Sequence, residues 1–187
     1  MKRSDLEHLI RAAGAVAQDG EIVIIGSQSI LGQFPDASGI LSVSAEADVF
    51  PRNRPEQADL IDGAIGEGSN FHEEYGYYAQ GVGERTAVLP RGWRERLVPI
   101  DNENTAGVVG LCLEVHDLAI SKYIAGRPKD LAFTRELAKQ AMTQPEALMA
   151  RLNETDIAAH QLRELVLARI CRDFGIPYRS DRRDEKE

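Results

Sequence analysis

The sequence predicts an α/β fold of the α+β kind: a mixed β-sheet flanked by helices, followed by a C-terminal helical half. Three observations predict it. Ile22-Val23-Ile24-Ile25 is a continuous apolar run broken by Gly26-Ser27, as expected of a strand covered on both faces. Strand-like and helix-like segments then alternate through residue 113, which suits a sheet with helices packed against it. From 114 to 177 only helical spacing recurs. The expected division is therefore an α/β core at 1–113, a helical region packed on it at 114–177, and a disordered tail at 178–187, where RSDRRDEKE carries no apolar residue.

Residues 4–19 read as an amphipathic helix, with Leu6, Leu9, Ile10 and Ala13 at helical spacing. Ser4 followed by Glu7 has the pattern of a capping box, and Asp19-Gly20 ends the helix. The strand at 21–25 leads through a short helix near 28–33 to a strand at 46–50, closed by Pro51. Pro55 suits the first turn of a helix over 55–65. The window SNFHEEYGYYAQGVGE reads as a loop holding four of the eleven aromatics. Its tyrosines suit either packing and hydrogen bonding in a core-lining loop or a wall over a binding site. Short strands are expected at 86–89 and 96–100, around the arginines Arg85, Arg91, Arg94 and Arg96; a solvated hairpin or a phosphate or RNA contact both suit them. A strand follows at 108–113. Helices follow at 115–126, with Gly126 at its C-terminus, at 128–141, at 145–151, and at 155–174, where Thr155 is the expected cap. His116 and Asp117 read as structural.

Composition narrows the class. An apolar content of 43% over 187 residues suffices for a sizeable single core. No run approaches the eighteen apolar residues of a membrane span, and MKRSDLEHLI lacks the apolar stretch of a signal peptide. Cys112 and Cys171 sit in apolar contexts and are expected as buried free thiols, consistent with a cytoplasmic location. Four scattered His and two Cys give no zinc spacing. The net charge of −8 argues against broad unspecific nucleic-acid binding, without excluding a local basic groove.

The chemistry concentrates in residues 21–50. A glycine lets the backbone approach a phosphate closely, and the helix start after it offers N–H groups, so Gly26 and Ser27 are candidate nucleotide-binding residues. Glu46 and Asp48 stand at i and i+2. On a strand they share a face, about 7 Å apart, and two hard oxygen ligands so placed suit Mg²⁺ beside a triphosphate. An ordinary glycine turn and two solvent-facing acids on an edge strand would leave the same pattern.

An apolar strand, Gly-Ser, a spacer and an acid-x-acid pair resembles the nucleotidyltransferase superfamily, whose pattern is hG[GS], a spacer, then [DE]h[DE]h. Here IIGS precedes EADV by eighteen residues. Ala47 between the acids, and Glu46 where Asp is commoner, depart mildly from it. The later stretch HDLAISKYIAGRPKDLAF is similar to a motif of bacterial nucleotidyltransferase-like proteins related to the AbiEii and MenT toxins. In those, a lysine on one helix is followed by an aspartate opening the next; the matching residues are Lys122 and Asp130. The window FHEEYGYYAQGV…AVLPRGWRERLVPI is similar to an uncharacterised branch of that grouping.

The resemblance implies nucleotidyl transfer from an NTP to an acceptor, RNA such as a tRNA end or a protein, with Mg²⁺ as cofactor and a cognate antitoxin or other subunit as partner. Glu46 and Asp48 would hold the metal, Gly26 and Ser27 the phosphates. Lys122 would neutralise charge on the leaving pyrophosphate, and Asp130 would position metal or the attacking hydroxyl. Many such enzymes use a third carboxylate; Asp101, Glu114 and Asp130 are the candidates. The alternatives are a decayed site that binds a nucleotide, RNA or partner without chemistry, and a structural, antitoxin-like partner subunit.

Overall fold

The computed structural model describes residues 1–178; the tail expected to be disordered lies beyond them save for Tyr178. Helix α1 (Arg3–Ala17) leads to strand β1 (Glu21–Ile24). A 3₁₀ turn at Ser27–Ser29 and the short α2 (Ile30–Gln33) connect to β2 (Glu46–Pro51). Then come α3 (Ala58–Ile65), α4 (Asn70–Tyr75), β3 (Tyr78–Gly81), β4 (Val98–Ile100) and β5 (Val109–Cys112). The helical half comprises α5 (Val115–Ala125), α6 (Pro128–Lys139), α7 (Pro145–Asn153) and α8 (His160–Asp173).

The five strands form one mixed sheet in the order β3-β2-β1-β5-β4. β1 runs antiparallel to β2 and parallel to β5, and β2 runs parallel to β3. The expected mixed sheet with helices on it and a helical C-terminal half is what the chain forms. The buried run Ile22–Ile25 lies on the central strand and the residue just past it, which explains its lack of polar alternation.

Register assigns the faces. Ile24 lies opposite Val49 and Val23 opposite Phe50, so Ile22, Ile24 and Val49 share one face while Val23, Asp48's neighbour Ile25, and Phe50 belong with Glu46 and Asp48 on the other. The first face is covered by α1 and α3. Gly110 on β5 leaves room for Ile10 of α1, since a β carbon there would lie 2.3 Å from its Cδ1. The second face is covered by the irregular segment 82–97, where Trp93 is buried, and by α5 and α6 at one end. α5 packs against α6, α7 and α8 and has no polar stripe: Leu118, Ala119, Ile120 and Tyr123 are all buried, as expected of a helix enclosed on every side.

Several local expectations change. The aromatic window is not a loop: it supplies α4 and the edge strand β3, which is only four residues long and ends in a glycine, too little for a period-2 signal. Residues 86–89 form no strand; a 3₁₀ turn covers Glu84–Thr86, and the chain beyond it has no ladder partner. Ser4 does not cap α1. The Asp5 carboxylate accepts from Lys2 N–H at 2.7 Å instead, two residues earlier in the chain. Glu7 turns away to take Asn102, Asn104 and Arg3. Thr155 closes α7 by donating to the Arg151 carbonyl at 2.7 Å, and α8 starts five residues later. Cys112 and Cys171 are free and buried, as expected.

Candidate active site

At the C-terminal end of β1 the chain meets the start of β2, and a cavity of about 520 Å³ opens between them, α5 and α6. Ser27, Glu46 and Asp48 line its sheet side; Lys122, Arg127, Lys129 and Asp130 line its helical side. Of the six residues singled out from sequence, five therefore border one cavity. The sixth, Gly26, lies directly behind Asp48.

Gly26 has an extended backbone, φ −88° and ψ −168°, which any residue adopts. Its lack of a side chain serves space. The Asp48 carboxylate occupies the position a β carbon would need. Ile25 N–H also donates to the Asp48 carbonyl at 3.0 Å, so backbone and side chain of Asp48 are both fitted to the β1 terminus.

Glu46 and Asp48 crowd each other as alternation on β2 requires. Burial pushes the Asp48 carboxyl up to about 6, and the negative Glu46 beside it pushes the same way; Lys122 and Lys129 oppose both. Tyr78, across from Glu46 in the β2–β3 register, donates its hydroxyl to Glu46 Oε2 at 3.1 Å. Both acids line a cavity whose opposite wall is cationic.

That wall rests on Asp130, which is fully buried at the start of α6. It accepts from Arg127 Nε at 2.6 Å and from Lys122 Nζ at 3.4 Å. Burial alone would raise the Asp130 carboxyl, but Arg127 and Lys122 together hold it below the usual range. Lys122 is drawn down by burial and partly restored by Asp130 and Asp48. Its ammonium also sits 4.7 Å from the Phe133 ring centroid, which fixes the stem. Lys122 thus stands between Asp130 and Asp48.

Two candidates for a third carboxylate fall outside the cavity. Asp101 follows Ile100, which pairs with Gly110 and so lies level with Ile22; this is the opposite end of the sheet from Asp48. Glu114 sits at the correct end but caps α5. It accepts from His116 N–H at 3.0 Å and meets His116 Nδ1 at 2.6 Å. Burial pushes its carboxyl up, yet His116 and these N–H groups hold it below the ordinary range. Only Asp130 borders the cavity, and it is committed to two cations. Among the described residues, no group of three or more His, Cys, Asp or Glu is arranged to hold a metal ion. Two carboxylates with a shared, desolvated charge still fit Mg²⁺, which commonly takes one or two carboxylates and completes its shell with phosphate oxygens and water.

The other motifs divide. Phe71, Tyr75 and Tyr77 pack with His8 of α1, the His8 ring lying 4.7 Å from Tyr75 and its Nδ1 2.7 Å from the Tyr77 hydroxyl. They build surface structure away from the cavity, while Tyr78 alone reaches the acids. In the arginine window, Arg96 is structural: its Nε and Nη2 donate to the fully buried Asp117 at 2.9 and 3.0 Å, and Arg151 completes the pair of cations around that carboxylate at 3.1 Å. Arg94 pairs with Glu84. The structural reading of His116 and Asp117 agrees with these contacts. Nothing in the sequence marks Arg127 and Lys129 as site residues, and Tyr78 stands there only as one of the window's tyrosines, with no sign that it reaches Glu46. The charge alternation Arg-Pro-Lys-Asp at 127–130 was visible there, but not that it faces Glu46 and Asp48.

Among the described residues, no helix is long and apolar enough to cross a membrane. No curated protein and no solved structure matches the chain. A family model described as a nucleotidyltransferase of unknown function (DUF6036) matches residues 4–180, nearly the whole chain. Strand, Gly-Ser turn and acidic strand are thus joined to a family-wide match, and the protein belongs to this nucleotidyltransferase family.

Proposed function

We propose that the protein transfers a nucleotidyl group from an NTP to an acceptor, with Mg²⁺ held by Glu46 and Asp48. The observation that carries this reading is one cavity with two adjacent carboxylates on the sheet side and Lys122, Arg127 and Lys129 on the helical side. Cations facing a metal-binding acid pair suit a polyphosphate bridged between them. Bound metal supplies neutralisation of the triphosphate oxygens and orients the α-phosphate for in-line attack.

The chain's own residues do the rest. Ser27, with the backbone beside Gly26, holds phosphate at the mouth of β1. Lys122 stabilises charge growing on the departing pyrophosphate, an electrostatic contribution strengthened by its desolvated setting. Asp130 orients Lys122 and Arg127; held low by both, it is a poor proton acceptor and a good anchor. Arg127 and Lys129 add outer contacts to phosphate. The cavity's other lip carries the exposed Ile40, Val43 and Val88, an apolar border suited to base and ribose. The acceptor belongs to the classes the resemblance implies, RNA such as a tRNA end or a protein. A bacterial, cytoplasmic toxin–antitoxin setting of the AbiEii/MenT type, with a cognate antitoxin as partner, is part of the same reading.

Thermal melting with each NTP, with and without Mg²⁺, on wild type and Asp48→Asn tests it. A ligand at about 100 Kd that binds only the native state adds roughly 2.7 kcal/mol. A metal-dependent rise lost in the variant supports the reading, and no rise with any NTP overturns it.

One observation favours a second reading, a decayed module that binds nucleotide, RNA or a partner without transfer: no third free carboxylate joins Glu46 and Asp48 among the described residues. Metal-dependent binding with no label transferred to any RNA or protein would select it.

A further inference from the structure

The aromatic window contributes one residue to the site that the nucleotidyltransferase reading does not use. β3 is the edge strand, parallel to β2, with Tyr78 directly opposite Glu46. The Tyr78 hydroxyl donates to Glu46 Oε2 at 3.1 Å. Its ring is nearly buried at 9% exposure, and the His72 ring packs on it with centroids 4.6 Å apart. His72 is itself fixed. Its Nδ1 accepts from Gly68 N–H at 3.1 Å, and its own N–H donates to the Ser69 hydroxyl that caps α4, at 3.2 Å. A chain of contacts therefore runs from the α4 cap through His72 and Tyr78 to one oxygen of Glu46. Glu46 itself lines the cavity beside Asp48, with which its carboxyl also shares a hydrogen bond.

We propose that Tyr78 is a positioning residue that restricts Glu46 to one-oxygen coordination of the metal and thereby favours Mg²⁺ over Ca²⁺. The proposal rests on the reading of Glu46 and Asp48 as a metal pair. The physical argument concerns coordination number. Mg²⁺ requires a compact octahedral shell, whereas Ca²⁺ takes six to eight oxygens and accepts carboxylates through both. A donor fixed on Oε2 withdraws that oxygen from the metal and fixes the rotation of the carboxylate. Partners of this kind, behind a metal ligand, typically change metal affinity about 10–100-fold when removed.

The test uses Mn²⁺ alone as probe, with free Mn²⁺ followed by electron paramagnetic resonance and Mg²⁺ and Ca²⁺ as competitors. Wild type, Tyr78→Phe, His72→Ala and Asp48→Asn are compared, each first checked by circular dichroism and melting without metal. Tyr78→Phe keeps the ring and removes only the hydroxyl. It is expected to bind Mn²⁺ about 10-fold more weakly, and Ca²⁺ should gain at least about 3-fold on Mg²⁺ as competitor. His72→Ala, which loosens the ring without touching the hydrogen bond, should move both quantities the same way by about 2-fold; it carries the test if Tyr78→Phe does not fold. A structural role alone would alter melting and leave the Ca²⁺/Mg²⁺ ratio unchanged. If Asp48→Asn abolishes binding while the folded Tyr78 and His72 variants match wild type in affinity and ratio, the Tyr78 proposal is overturned and the metal pair stands. If wild type binds no Mn²⁺, the metal pair and the proposal fail together.

Discussion

Gly26 and Asp48 occupy each other's space: a β carbon at position 26 would lie 1.9 Å from Asp48 Oδ2 and 2.8 Å from its Cγ. The glycine is required by the acid on the neighbouring strand and not by its own backbone angles, which are ordinary for any residue. Gly26→Ala should therefore leave the β1–β2 ladder intact and expel the Asp48 carboxylate from its place. The expected result is loss of metal-dependent nucleotide binding with a melting temperature near that of wild type. Calorimetric titration of the Mg²⁺–NTP complex, beside a melt of the metal-free protein, checks it.

Asp48 predicts a pH dependence of known sign. Its carboxyl stands at about 6, above its ordinary 3.8, so the native state holds this proton more tightly than the unfolded chain does. That contribution to stability is complete below about pH 4 and is lost as pH rises through about 6. Asp48→Asn stays neutral throughout. It should match wild type near pH 4 and exceed it at pH 8 by about 1–2 kcal/mol, allowing for partial solvent screening. Urea denaturation at the two pH values measures the difference.

In the proposed site the same proton would compete with metal, because a carboxylate must ionise to bind it. Mg²⁺-dependent stabilisation by nucleotide should fall about 10-fold in apparent affinity for each pH unit below the Asp48 value of about 6. Titrations at pH 7.5, 6 and 5 would show this.

On the opposite wall, Lys122→Met keeps a stem over Phe133 and removes the charge next to Asp130. Nucleotide affinity should fall about 10-fold, near 1.4 kcal/mol. Arg127→Ala should cost less, about 3-fold, because its side chain is 61% exposed and screened. The ratio of the two losses, read by the same titration, distinguishes the buried cation from the outer one.

Asp117 on α5 anchors the segment 82–97 to the helical half through Arg96 and ties α7 to α5 through Arg151. Asp117→Ala strands two partly buried guanidiniums and should destabilise by about 3–5 kcal/mol. At about 2–4 °C per kcal/mol for a domain of this size, the melting temperature should drop by about 10 °C.

The sequence by itself determined the central strand, because a short run of β-branched residues bounded by Gly20 and by Gly26-Ser27 suits a strand covered on both faces. It also determined the acid pair, since alternation on any strand puts Glu46 and Asp48 on one face. The helical half was equally legible: Pro128 and Gly126 punctuate it, and a periodicity of 3.6 is local information. What only the tertiary structure decided was which distant groups meet. Arg127 and Lys129 had nothing local to set them apart from any solvated turn until α6 docked across from β2. Tyr78 lay in a window without strand periodicity, and parallel pairing across thirty-two residues brought its hydroxyl to Glu46. Asp101 and Glu114 were equal candidates in sequence; sheet register sent one to the far end and helix capping claimed the other. In sequence Gly26 suits approach by phosphate, and its packed reason is the Asp48 carboxylate. Local pattern fixes which face a side chain takes. The partner on that face is set by long-range packing, to which no short stretch of sequence has access.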